Sequence, residues 1–313
     1  MRIIFMGTAE LSCASLEKLA GSGDYSVAAV VTQPDKPKGR DLKLTPSPVK
    51  VLAQKLPVPV LQPARARDEL FIAHIRALEP DLIVVVAYGQ ILPQRLLEVP
   101  PHGCLNVHTS LLPKYRGAAP IQWAIAEGEA ETGVTIMKMD AGLDTGPVLA
   151  VRRTRILPAD DSPILHDRLA QLGAELLMET IPEFVAGKIS PQPQSAEGAT
   201  YAAKIKKDDG RIDWNWPAAK IWNRLRAFTP WPGAFTFLGG GAKPMLLKIW
   251  KADWVERTGQ IGMVLSADKS GIVIGCGQGA LRVLELQCEG GKRLSAEQFL
   301  AGYPWSAGAC PFA

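Results

Sequence analysis

The sequence predicts an α/β protein in two parts, a parallel-sheet domain followed by a small β-barrel. Three observations carry this expectation. Residues 2–7, RIIFMG, form an apolar run ending at Gly7, as a strand buried on both faces should. Leu11, Ala14, Leu16 and Leu19 then recur at helical spacing, and the apolar stretch YSVAAVVTQ completes a βαβ unit with parallel strands. From residue 209 onward the pattern changes to short strands parted by glycine turns, the signature of a small closed barrel.

The remaining elements follow in order. ELFIAHIRALEP reads as a helix and DLIVVVAYG as a second buried strand. CLNVHTS repeats the strand signal, and AAPIQWAIAEG reads as a helix. GVTIMKMDAGLDTGPVLAVRRTRI fits two strands around a tight loop, and PILHDRLAQLGAELLMETIPEFVAG a long amphipathic helix. Apolar periodicity stops at KISPQPQSAEGATYAAKIKKDDGR, which predicts a linker over 190–208 between domains at 1–189 and 209–313. The second domain opens with a helical stretch, PAAKIWNRLRAF, before the strands GAFTFL, MLLKIWKADWV, GQIGMVLSA, GIVIGCG and ALRVLELQ.

One stretch breaks the pattern. After the second strand, QPDKPKGRDLKLTPSPVK (Gln33–Lys50) interleaves Pro34, Pro37, Pro46 and Pro48 with Lys36, Lys38, Arg40, Lys43 and Lys50. The prolines predict neither helix nor central strand. The cations repel one another unless a partner neutralises them, so a loop that orders on binding is expected.

Composition narrows the class. The 313 residues are 47% hydrophobic and 21% charged, ordinary for a soluble globular protein. A net charge of +4 does not by itself require a nucleic-acid partner. Cys13, Cys104, Cys276, Cys288 and Cys310 are scattered without a CxxC pair, which predicts neither a disulfide framework nor a zinc site. With no signal-like apolar segment at the start and no run approaching the ~20 residues of a membrane helix, a cytoplasmic protein is expected.

Motifs narrow it further. The turn after the first strand is GTAELS, lacking the later glycines that let a pyrophosphate approach the backbone, which excludes a dinucleotide site. GCGQGA, from Gly275, reads as a hairpin turn. The lone DTG at Asp144–Gly146 cannot supply the paired carboxylates of an aspartic protease. NVHTSLLPKYRGAAP is more informative. Asn106 and His108 alternate on one strand, so both project from the same face, near the strand end where open α/β sheets form their ligand crevices. Asp144 lies in a loop after the following strand. An amide donor, a group titrating near neutrality and a carboxylate suit acyl transfer in which the substrate supplies the nucleophile.

LNVHTSLLPKYRGAAPIQWAI, DAGLDTGPVL and TQPDKPKGR…LTPSPVK together resemble the methionyl-tRNA formyltransferase family, as do DGRIDW, AFTPWPGAF and GKRLSAEQFLAG. The resemblance runs nearly the full length. It implies a Rossmann-like formyl transferase domain, a linker and an OB-like C-terminal barrel that binds tRNA. It also implies transfer of a formyl group from 10-formyltetrahydrofolate to the α-amine of methionine on initiator methionyl-tRNA, without a metal, by a monomer. Carried over by motif, Asn106, His108 and Asp144 form the catalytic set. Ser110, Leu111, Leu112 and Pro113 line the folate site, with Ile91, Leu92, Asp140 and Leu143 around the pteridine. Arg40 would reach the acceptor end of the tRNA. By charge and position alone, Lys38 and Lys43 in the same loop and Lys204, Lys206 and Lys207 in the linker are further candidate phosphate contacts. The chain departs from the family in having GTAELS where GTPEFA is usual.

The Asn-His-Asp set alone also fits relatives that formylate sugar nucleotides or glycinamide, or that hydrolyse formyl-folate. A non-catalytic RNA-binding protein on the same fold is a further alternative. The basic loop is the feature that selects a tRNA acceptor.

Overall fold

A computed structural model describes residues 1–38, 43–239 and 244–312, with Lys38 through its backbone alone. The first strands are β1 (Arg2–Gly7), β2 (Ser26–Val31), β3 (Lys36–Lys38), β4 (Lys43–Thr45), β5 (Val60–Leu61) and β6 (Leu82–Val86). β7 (Cys104–His108), β8 (Arg116–Gly117), β9 (Glu131–Lys138), β10 (Val148–Arg155) and β11 (Tyr201–Ala202) follow. The rest are β12 (Ala234–Leu238), β13 (Met245–Val255), β14 (Val264–Asp268), β15 (Gly271–Gly275), β16 (Ala280–Cys288) and β17 (Leu294–Ser295). The helices are α1 (Leu11–Gly21), α2 (Pro48–Ala53), α3 (Glu69–Ala77), α4 (Gln94–Leu97), α5 (Pro120–Ala126), α6 (Ser162–Val185), α7 (Ala218–Ala227) and α8 (Ala296–Gly302).

The chain divides into two compact units. The first comprises Met1–Pro120, Glu131–Arg155 and Ile164–Ala203, and the second Ile121–Ala130, Ile156–Pro163 and the chain from Lys204 onward. In the first unit a seven-stranded sheet has the order β10-β9-β7-β6-β1-β2-β5. Its five strands from β7 to β5 run parallel, and β9 and β10 close the other edge antiparallel. Ile3, Ile4, Phe5 and Met6 are all buried, so β1 contributes to the core on both faces. Ile4, Met6, Val31, Ile83 and Val85 share one side with Ile72 and Ile75 of α3. The strand order reverses beside β1, and the C-terminal ends of β1, β6 and β7 therefore open onto one crevice edge.

The basic stretch departs from the expectation of an irregular loop. β3 and β4 pair antiparallel through Lys36↔Thr45, Pro37↔Leu44 and Lys38↔Lys43, forming a short hairpin. Pro37 is tolerated because an isolated two-stranded ladder is all edge. The second half of the stretch is helical. Ser47 caps α2, its hydroxyl accepting from Lys50 N at 3.0 Å, and Pro48 occupies the first turn, where its missing N–H costs nothing. Proline thus marks a helix start here rather than its exclusion.

The second unit is built on an antiparallel sheet, β12-β13-β16-β15-β14, with β17 added to β16. Between β12 and β14 the strand ladder is open, and the C-terminal tail bridges the gap. Gly308 N donates to Val264 O and Val264 N to Ala309 O, both at 2.9 Å, while Gly239 N donates to Pro311 O at 2.8 Å. The tail therefore covers the start of β14 and the end of β12, while Ile212 N donates to Phe235 O at 2.8 Å farther along β12, so backbone groups on both terminal strands find partners. Ile221 and Leu225 of α7 and Phe299 of α8 complete the core with Leu247, Ile249, Ile272, Leu281 and Val283.

Candidate active site

Asn106 and His108 sit at the C-terminal end of β7. The register pairs Asn106 with Val85 of β6 on one side and with Met137 of β9 on the other, and His108 with Thr135. Their same-face projection follows from the two-residue period of the strand. Both are nearly buried, at 8% and 6% exposure.

Asp144 arrives from the loop joining β9 to β10. Its φ of +53° is a left-handed conformation that aspartate tolerates better than bulkier residues. The turn directs its carboxylate at β7. Asn106 Nδ2 donates to Oδ1 at 3.3 Å, Gly117 N donates to Oδ2 at 2.8 Å, and His108 Nδ1 lies 3.7 Å from Oδ2. The three residues singled out from sequence therefore meet. The closest partner of the imidazole is nevertheless a different group, since His108 Nε2 lies 2.9 Å from Tyr115 O. A carbonyl only accepts, so Nε2 carries a proton and the ring orientation is set mainly by Tyr115.

The loop after β7 is held by short polar contacts. Thr135 Oγ1 donates to Ser110 O at 2.7 Å and accepts from Leu112 N at 3.2 Å. Ser110 Oγ donates to Lys114 O at 2.6 Å, so its hydroxyl is engaged away from the trio and is not a poised nucleophile. Tyr115 N donates to Thr200 Oγ1 at 2.8 Å and Arg116 N to Thr200 O at 2.9 Å, ahead of the β8–β11 pairing. Gln194 donates through Nε2 to Asp144 O at 2.9 Å and Gly146 O at 2.7 Å. Its Oε1 accepts from Arg116 Nε and Nη2 at 3.1 and 2.8 Å. Thr135, Tyr115, Arg116, Gly117, Gln194 and Thr200 were not legible as site residues. Gln194 and Thr200 lie in a polar, aperiodic stretch, and Tyr115 acts through its backbone, which leaves no signature in residue type.

The expected folate residues separate by environment. Leu111 packs over Gly133, where a Cβ would come within 2.6 Å of the leucine methyl. Leu112 and Pro113 are partly exposed on the same loop. Ile91 and Leu143 are largely exposed apolar side chains, whereas Leu92 belongs to the core with Tyr88 and Leu96. Asp140 shapes its own loop, accepting from Gly142 N at 3.0 Å and Thr145 Oγ1 at 2.7 Å.

Among the expected phosphate contacts, Lys43, Lys204, Lys206 and Lys207 are exposed. Arg40 and the Lys38 side chain lie outside the described residues. Lys50, another cation of the basic stretch, is engaged at the root of the hairpin, with Nζ 2.9 and 2.8 Å from the two oxygens of Asp35. Among the described residues no group of His, Cys, Asp and Glu could hold a metal ion.

An amide, an imidazole and a carboxylate thus meet at the C-terminal strand ends of the parallel sheet, an arrangement whose chemistry suits group transfer. The group is identified by comparison: the chain matches the formyl transferase family over residues 1–181 and the formyl transferase C-terminal domain over 204–304. The methionyl-tRNA formyltransferase of Geobacter sulfurreducens is 52% identical over 303 residues, 97% of this chain and 94% of that one. This chain belongs to the methionyl-tRNA formyltransferase family. Solved structures share the fold at lower identity. An N-formyltransferase from Helicobacter canadensis, in complex with folinic acid and dTDP-3-aminofucose, superposes with a TM-score of 0.65 at 18% identity, covering 93% of this chain and 99% of that one. HypX from Aquifex aeolicus, in complex with tetrahydrofolic acid, gives a TM-score of 0.61 at 18% identity, with this chain spanning 51% of it.

Proposed function

We infer that the protein transfers the formyl group of 10-formyltetrahydrofolate to the α-amine of methionine on initiator methionyl-tRNA. The observation that carries this is similarity to methionyl-tRNA formyltransferases over almost the whole chain, both domains included. The reaction needs no metal or redox partner. The neutral amine attacks the formyl carbon, negative charge develops on the formyl oxygen, and the C–N10 bond breaks. The amine loses one proton and N10 gains one.

We assign the chemistry to the trio. Asn106 has a second amide N–H beyond the one given to Asp144, and it can donate to the developing oxyanion. His108, oriented by Tyr115 and facing Asp144, supplies the imidazole that stabilises this charge or relays the amine's proton. Asp144 holds the pair together. For the folate we propose the loop Ser110–Pro113, with the exposed Ile91 and Leu143 against the pteridine. Leu92 would support that wall from the core, and Asp140 would hold the shape of the Leu143 loop.

For tRNA we propose the basic hairpin, with Lys38, Arg40 and Lys43, and the exposed Lys204, Lys206 and Lys207. We propose a catalytic domain over 1–189, a connecting segment over 190–208 and a tRNA-binding domain over 209–313. No helix among the described residues is long and apolar enough to cross a membrane. We place the enzyme in the cytoplasm because its two substrates belong to translation and to folate metabolism, and we propose that it acts as a monomer.

The test is a competition of acceptors. Purified protein and 10-formyltetrahydrofolate are offered charged initiator tRNA or an amino-sugar nucleotide, and the formylated product is identified by mass. Formyl-methionyl-tRNA alone is expected. Transfer to the sugar alone would overturn the acceptor assignment.

A further inference from the structure

Asp144 sits on an exposed loop, yet the chemistry needs its carboxylate held within a fraction of an ångström. The contacts from β7 are insufficient to explain that, being 3.3 Å from Asn106 and 3.7 Å from His108. The loop backbone is instead gripped from the opposite side by Gln194. One amide NH₂ captures the carbonyls of Asp144 and Gly146 together, and the amide oxygen takes a forked pair of bonds from the Arg116 guanidinium. Carbonyls face Nε2 and a cation faces Oε1, so only one orientation of the amide satisfies the arrangement.

The circuit closes through the chain. Arg116 is bonded to Gly117, whose N–H donates to Asp144 Oδ2 at 2.8 Å. Asp144 is therefore held at its backbone by Gln194 and at its carboxylate by Gly117, with Arg116 tying the two holds together. Arg116 is only 8% exposed, and the geometry commits its guanidinium to this role. We propose that Gln194 and Arg116 are a positioning pair that sets the Asp144 carboxylate against Asn106 and His108, with turnover depending on them through Asp144. Glutamate cannot replace glutamine here. It would keep the volume and the attraction to Arg116, but its second oxygen would confront two carbonyl oxygens as a charged acceptor.

The inference rests on formyl transfer being the reaction, and the parent enzyme's own turnover checks that separately. Gln194→Glu and Gln194→Ala are compared with the parent and with Asp144→Asn, measuring kcat, KM for tRNA and the pH dependence of kcat. Displacing the carboxylate by about 1 Å predicts a kcat loss of roughly 10²-fold. KM for tRNA should stay within about twofold, and the pH profile should move toward that of Asp144→Asn. Arg116→Lys, which loses the forked geometry from the other side, should give the same pattern with a smaller loss. An active parent with kcat reduced less than about threefold in Gln194→Glu, or with the loss carried by KM, overturns the role. So does a fall in kcat with an unmoved pH profile. An inactive parent overturns the reaction assignment instead.

Discussion

At Gly117 a single missing side chain allows the site to assemble. The residue has φ of +112°, and a Cβ there would lie 2.8 Å from the carbonyl oxygen of Ala202. Only glycine adopts this backbone without strain, and only this backbone points the N–H at Asp144. Gly117→Ala should destabilise the fold by about 1–3 kcal/mol, visible in urea titration, and depress kcat as well. The two residues proposed for the oxyanion behave differently. On that proposal Asn106→Ala and His108→Ala each remove a group that stabilises the oxyanion, so each should reduce kcat by about 10²–10³ while folate binding by fluorescence titration survives. Turnover of His108→Ala near the parent rate would remove the residue from the mechanism. That Asn106, His108 and Asp144 are candidates was legible because their residue types announce chemistry and strand periodicity puts two of them on one face. Tyr115 and Gly117 were not, since a carbonyl and an N–H belong to every residue and only the fold aims them.

Among the elements, the β3–β4 hairpin shows why proline content misleads. An edge ladder of three residue pairs needs few N–H donors, so Pro37 fits, and Pro48 favours the start of α2. The hairpin is anchored at its root. Asp35 binds Lys50 through both oxygens, and Gln62 Nε2 donates to Asp35 Oδ1 at 2.7 Å and to Gln33 O at 3.0 Å. The bond from Lys50, then that from Gln62, hold the Asp35 carboxyl below its ordinary value of 3.8. Because the folded value is the lower one, the contribution to stability is complete above the unfolded value. It fades as pH falls through the folded value. Asp35→Asn should therefore melt below the parent at neutral pH, with the gap closing as the pH drops below 3.8. A gap that persists in acid would assign it to packing instead. If the hairpin meets tRNA, the same variant should raise KM for tRNA and leave KM for folate unchanged. The long apolar strands and amphipathic helices were evident from periodicity. β8 and β11, two residues each, were not, because their pairing is set by tertiary contact rather than by pattern.

Over the whole molecule, the alternation of strands and helices followed by short strands correctly announced a parallel-sheet unit and a β-rich one, but not how the second unit closes. Its strand ladder leaves β12 and β14 as free edges, and free edges template pairing with other chains. Ile212 N covers part of β12 by donating to Phe235 O, and the tail adds backbone bonds at Val264 and Gly239 and two aromatic anchors. Phe312 packs 4.8 Å from Trp214 and 5.9 Å from Trp305, and Trp305 lies 5.0 Å from Phe299, ring centroid to centroid. Removing the tail from Trp305 onward should thus act twice, withdrawing apolar area from the core and uncovering two edges. Phe312→Ala alone isolates the first effect and should cost about 1–2 kcal/mol, since the ring is only partly buried. The full truncation should cost more and should also aggregate on warming, where the point variant melts without aggregating. Light scattering during a thermal ramp separates the two. If both variants scatter equally, the anchors rather than the edge bonds protect the sheet. If neither scatters, the tail is an ornament on a sheet whose edges were already safe.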